Sequence, residues 1–90
     1  MTHVEGKDKG KITLYALSTC IWCKKARLAL EKLGVAYDYE YVDLLKGEEQ
    51  EKAMEQVRKW NPAESFPVIV IKNSKCIQGY DEETLKEELG

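Results

Sequence analysis

Lys11-Ile12-Thr13-Leu14-Tyr15-Ala16-Leu17-Ser18-Thr19-Cys20-Ile21-Trp22-Cys23-Lys24-Lys25-Ala26 decides the fold of this chain. Ile12, Leu14 and Ala16 alternate with Thr13, Tyr15 and Leu17, and both sets are largely apolar, the pattern of a central strand buried on two faces. From Cys20 the period changes. Cys23, Ala26, Ala29, Leu30 and Leu33 recur at helical spacing, while Lys24, Lys25, Arg27, Glu31 and Lys32 are expected on the wet side. Gly34 follows as a helix C-terminal glycine. The Cys20-Ile21-Trp22-Cys23 pair therefore sits at a strand-to-helix junction. There, unpaired backbone N–H groups and the helix dipole favour a thiolate. The second cysteine lies one turn along the same face, placed to attack a mixed disulfide formed at the first. This is the layout of a reversible dithiol/disulfide centre. A Cys-x-x-Cys pair is also half of a structural zinc site, but such a site needs four ligands, and the chain adds only Cys76 and His3.

Further along, Val35 to Val42 alternates, with Tyr37, Tyr39 and Tyr41 on one face and Asp38 and Glu40 on the other, as in a half-buried strand. Gly47 through Trp60 reads as a second helix with Ala53, Met54, Val57 and Trp60 inward, and Asn61-Pro62 stops it. Phe66 to Ile71 is a third strand with Pro67 confined to its start. Asn73-Ser74 turns the chain into a hairpin with Lys75 to Gln78. Asp81 caps a short final helix. The expected order is β-α-β-α-β-β-α, an α/β fold with a four-stranded mixed sheet flanked by helices. Residues 1–10 read as a flexible polar leader and 11–90 as the domain.

At 90 residues the chain suffices for one core, and its net charge of −2 is spread over interspersed acids and bases, with no basic stripe for nucleic acid. No apolar run is long enough to span a bilayer, and residues 1–10 lack a signal peptide's apolar segment, so cytoplasm is the expected location. An odd cysteine count in a reducing compartment suits one working pair and one packed residue, Cys76, rather than a disulfide framework.

Taken in order, these features resemble the glutaredoxins, small thioredoxin-like proteins. Tyr15 stands before the cysteine pair, Ser18-Thr19-Cys20-Ile21-Trp22-Cys23 opens the first helix, and Leu33-Gly34-Val35 leads into the second strand. Phe66-Pro67 opens the third strand, and Gly79-Tyr80-Asp81 precedes the last helix. The redoxins that supply electrons to ribonucleotide reductase share most of this pattern. The resemblance implies a thiol-disulfide oxidoreductase, an electron carrier that acts on disulfides of proteins or small molecules. A reducing thiol or a thioredoxin-reductase-type enzyme would reset it, and the chain would be a monomer needing no cofactor or metal. It implies Cys20 as nucleophile, Cys23 as resolving thiol and Pro67 as a cis proline. Asp81, with the Gly79 backbone, would clamp the γ-glutamyl end of glutathione. Thr19, Trp22, Phe66 and Tyr80 complete the implied substrate surface, with Trp22 exposed on its rim. The alternative is a dimer that holds an iron–sulfur cluster through Cys20 of each subunit.

Three positions depart from the family pattern. Ile21 replaces the usual proline, Gln78-Gly79 a glycine pair, and Leu17 the lysine that pairs with the glycyl carboxylate of glutathione. Losing that cation removes a charge-assisted bond of roughly 1.5–3 kcal/mol, about tenfold or more in affinity. Weak use of glutathione is expected, unless Arg58 or Lys59 supplies the charge.

Overall fold

The computed structural model describes residues 1–89, so Gly90, the last residue of the expected domain, lies outside the described residues. Five strands and three helices follow in the order β1 (Thr2–Val4), β2 (Ile12–Ala16), α1 (Ile21–Leu33), β3 (Tyr37–Tyr41), α2 (Glu48–Trp60), β4 (Val68–Ile71), β5 (Lys75–Gln78) and α3 (Glu82–Leu89). A single 3-10 turn, Val42–Leu44, links β3 to α2. The sheet order is β1-β3-β2-β4-β5. β2 runs parallel to β3 through the α1 crossover, and antiparallel to β4, which pairs antiparallel with β5. The fold is thioredoxin-like, with a mixed sheet between helices.

The alternation in β2 places its two faces in different cores. Ile12, Leu14 and Ala16 join Ala26, Leu30, Ile69, Ile71 and Leu85 beneath α1 and α3. Tyr15 joins Val57, Val68 and Val70 beneath α2. A strand covered on both faces has no place for a polar run, which is why this segment is so uniformly apolar. No helix among the described residues is long and apolar enough to cross a membrane.

The expected four-stranded sheet has a fifth strand. Thr2–Val4, read from the sequence as part of a flexible polar leader, pairs antiparallel with β3, Val4 opposite Tyr37. The chain then stays on the sheet edge: the Lys7 amide donates to the Gly34 carbonyl at 2.8 Å, and the Ala36 amide to the Lys7 carbonyl at 2.8 Å. Gly6 allows this close approach. A Cβ there would lie 2.5 Å from the Val35 carbonyl carbon and 2.7 Å from the Ala36 nitrogen, both backbone atoms that cannot swing aside. Gly6→Ala is therefore expected to lift the segment off the edge and break both bonds, at a cost of about 0.5–1.5 kcal/mol for each. Hydrogen exchange of the Ala36 amide measures it; unchanged protection would contradict the packing described.

Candidate functional site: a dithiol at the N-terminus of α1

Cys20 is the N-cap of α1, with extended backbone angles, and its Sγ accepts a hydrogen bond from the Cys23 amide at 3.2 Å. A capping side chain accepts from the first turn, and here sulfur takes the place usually held by a Ser or Asp oxygen. The same geometry offers the sulfur a donor that binds a charged acceptor more strongly than a neutral one. The Cys20 amide in turn donates to the Leu17 carbonyl at 3.2 Å, closing the tight turn between β2 and α1. Cys20 is half-buried and Cys23 buried, both as free thiols. One sulfur is reachable and the other is not.

Burial pushes the Cys23 thiol up to about 12, with further upward contributions from the adjacent Cys20 and from the Asp43 carboxylate. Desolvation disfavours the thiolate inside the core, so Cys23 carries its proton throughout the neutral range. The linkage has a definite sign. Once the unfolded chain releases this proton and the folded one keeps it, each further rise in pH favours unfolding. Stability from this group is complete below the unfolded value and falls as pH climbs toward about 12. Cys23→Ala is expected to remove that part of the alkaline loss. Urea midpoints at several alkaline pH values test this, and an identical alkaline slope in the variant would contradict it.

Four of the other residues singled out from the sequence form two contacting pairs, Trp22 with Tyr80 and Pro67 with Gly79. Trp22 stacks on Tyr80, with ring centroids 6.2 Å apart and planes 28° from parallel, joining the start of α1 to the loop before α3. Trp22 is 54% exposed. Phe66-Pro67 is a cis peptide, Pro67 is fully buried, and its carbonyl accepts from the Gly79 amide at 2.8 Å. Asp81 caps α3: its carboxylate accepts from the Thr84 amide at 3.1 Å and the Thr84 hydroxyl at 2.7 Å. Those two bonds hold its carboxyl below the usual range, so a charge persists there into mild acid. Thr19 lies exposed in the turn before Cys20. Arg58 faces Glu64 at 3.3 Å, while the Lys59 ammonium sits 5.7 Å from the centre of the Trp60 ring.

Two contributors were not foreseen. Asp43, in the 3-10 turn after β3, accepts from the Ser18 amide at 2.9 Å and also from its hydroxyl. It ties the turn that presents Cys20 to the far end of the neighbouring parallel strand. Arg27, expected on the wet side, instead folds over the tyrosine stripe. Its guanidinium lies 4.0 Å from the Tyr39 ring centre and donates to the Tyr37 and Tyr41 hydroxyls at 3.3 and 3.0 Å. The long arginine covers apolar ring surface while satisfying two hydroxyls, which a helical-wheel reading cannot see.

Known proteins share this fold and much of its sequence. The crystal structure of a glutaredoxin from Methanosarcina mazei Go1 is 50% identical with a TM-score of 0.93, covering 99% of this chain and 86% of that one. The methanoredoxin of Methanosarcina acetivorans is 47% identical with a TM-score of 0.91, covering 94% and 90%. A glutathione S-transferase 1 from Dianthus caryophyllus is 36% identical over 85 residues, which make up 89% of this chain but only 36% of that protein. The glutaredoxin family model matches residues 12–77, from the central strand through both cysteines and the cis proline into β5. On that match, and on the thioredoxin-like sheet that carries it, the chain belongs to the glutaredoxin family.

Proposed function

We propose that this protein is a dithiol electron carrier that reduces disulfides through Cys20 and Cys23. The observation that supports it best is the asymmetry of the pair: a reachable sulfur at a helix N-terminus, hydrogen-bonded at 3.2 Å to the amide of a buried cysteine that keeps its proton. In the first step the Cys20 thiolate attacks one sulfur of a partner disulfide. A mixed disulfide forms, and one partner thiolate leaves. Cys23 then gives up its proton, which the departing thiolate can take, and attacks Cys20 Sγ. The second partner sulfur leaves as a thiolate and takes a proton from solvent, and two electrons have passed from the dithiol to the partner. Phe66, Gly79, Tyr80 and Asp81 form the substrate-facing rim in this reading, with the buried Pro67 fixing the Phe66 backbone behind it and Thr19 and Trp22 beside the nucleophile. A reducing, cytoplasmic setting and a monomeric carrier suit this chemistry, since the working pair must be returned to thiols after every cycle.

The reductant is the finer question. Leu17 lines a groove of about 320 Å³ beside Cys20 and offers no charge there, so the cations on its wall are Lys24 and Arg27, the latter engaged by the tyrosines. We expect oxidised protein to be reduced slowly by glutathione and more readily by a thioredoxin-reductase-type system. Leu17→Lys should raise apparent affinity for glutathione about tenfold. Reduction rates with each donor provide the measurement, and brisk, saturable turnover of the unaltered protein at low glutathione would overturn the expectation. Visible absorption from anaerobically purified protein would instead support the cluster-bearing dimer.

A further inference from the structure

Helix α1 departs from the electrostatic habit of the other two. α2 opens with Glu48, Glu49 and Glu51, and α3 with Glu82 and Glu83, acids at the positive end of the dipole. α1 has no acid in its first turn, and Lys24, Lys25 and Arg27 crowd its N-terminal half. Cations there are disfavoured by the dipole, in a protein whose net charge is −2. Arg27 is taken up by the tyrosines. Lys24, Lys25 and Lys32 are exposed and make no ion pair among the described residues.

The same outer face carries unusual apolar exposure. Ile21 is 64% exposed, Trp22 54% and Leu28 50%; among the described residues only Met1 and Leu44 join them as large exposed hydrophobics. Ile21, Leu28 and Lys32 follow one another at helical spacing away from Cys20, with Lys24 and Lys25 between. Trp22 is held in place by Tyr80 on one side and by the Lys25 ammonium 4.6 Å from its ring centre. An aromatic fixed before its partner arrives loses little entropy on binding. A second groove, of about 600 Å³, runs between α1 and the start of α3, lined by Lys25, Leu28, Lys32 and Tyr80 together with Glu31 and Glu82, whose carboxylates pair with Arg27 and Lys86.

We propose that this face docks a polypeptide that carries carboxylates next to its disulfide. The proposal rests on the dithiol reading and names its substrate class. Ile21, Trp22 and Leu28 take the aliphatic contacts of the incoming segment. Lys24, Lys25 and Lys32 meet its aspartates or glutamates, so the segment lies along α1 with its disulfide at Cys20. The redox step is the exchange already described: the partner disulfide becomes two thiols and the cysteine pair becomes one disulfide.

The test uses three synthetic disulfide-bridged peptides of one length, with two glutamates, two glutamines or two lysines flanking the same cysteines. Single-turnover reduction by the full-length dithiol protein is followed at low and high salt. The acidic peptide should react roughly tenfold faster than the glutamine peptide at low salt, because opposite charge raises the encounter rate. The lysine peptide should be the slowest, and the spread should collapse at about 1 M salt, where screening acts within about 3 Å. In the Lys25→Glu/Lys32→Glu variant the acidic-to-neutral ratio should fall to about one or below; taking the ratio cancels any change in thiol reactivity. Equal rates for all three peptides at low salt would overturn the docking surface and leave the dithiol chemistry standing. Reduction of none of them would overturn the dithiol reading itself.

Discussion

Cys23→Ser is expected to stop the protein halfway, with the partner covalently held on Cys20, while Cys20→Ser should reduce disulfides no faster than the uncatalysed background. The two sulfurs are one turn apart yet differ in access, Cys20 half-buried and Cys23 buried. In the proposed cycle the outer one makes the first attack. A serine at 23 leaves that attack intact and removes the group that would cleave the mixed disulfide, so the adduct accumulates. Intact mass after incubation with a disulfide substrate reads the adduct directly, beside steady-state rates for each variant. Cys76→Ser should leave the rate nearly unchanged, since Cys76 sits in β5 opposite Val70, packed against the core beneath α2. A Cys20 variant that still turns over, with no adduct on the Cys23 variant, would reverse the assignment.

Leu30→Ala is expected to cost about 2–5 kcal/mol, because the side chain is fully buried and the surrounding residues are held by a sheet that cannot collapse inward. Leu30 packs in the same cluster as Leu14, Ile69 and Leu85, between α1 and the sheet. For a chain of this size each kcal/mol lowers the melting temperature by roughly 4–8 °C. A loss of that size is a large share of the stability of a small domain. Urea unfolding followed by far-ultraviolet dichroism gives the number; a change under 1 kcal/mol would mean that α1 is less tightly seated than described.

Much of the sheet and its helices was legible because local signals and tertiary demands agree. β2 is apolar on both faces, Gly34 adopts the left-handed angle that ends α1, and Asp81 caps α3 through Thr84. What escaped depends on partners far along the chain. Thr2–Val4 is too short for its alternation to signal a strand, and it becomes one only because β3 offers an open edge. Arg27 looks like a solvated lysine equivalent until three tyrosines from another strand surround its guanidinium. Asp43 and Ser18 stand 25 residues apart, and no spacing rule links a 3-10 turn to the loop before a helix. The cysteine pair was legible for the opposite reason: its geometry is written into one turn of helix.

The register of β2 also bears on how the molecule forms. Its partner on one side, β3, arrives after a single helix, but on the other side Ile12 faces Ile71 and Tyr15 faces Val68, with most of the chain in between. Closing that loop costs entropy before any contact repays it, which makes this a non-local pairing. α1 and its N-cap sulfur are joined by contacts local in the chain. The shelter of Cys23 is not local, because the cluster that buries it includes Ile69 and Leu85 from the far end of the chain. The chemical difference between the two thiols is therefore a property of the whole fold: it needs β4 and α3 in place, and not the helix alone.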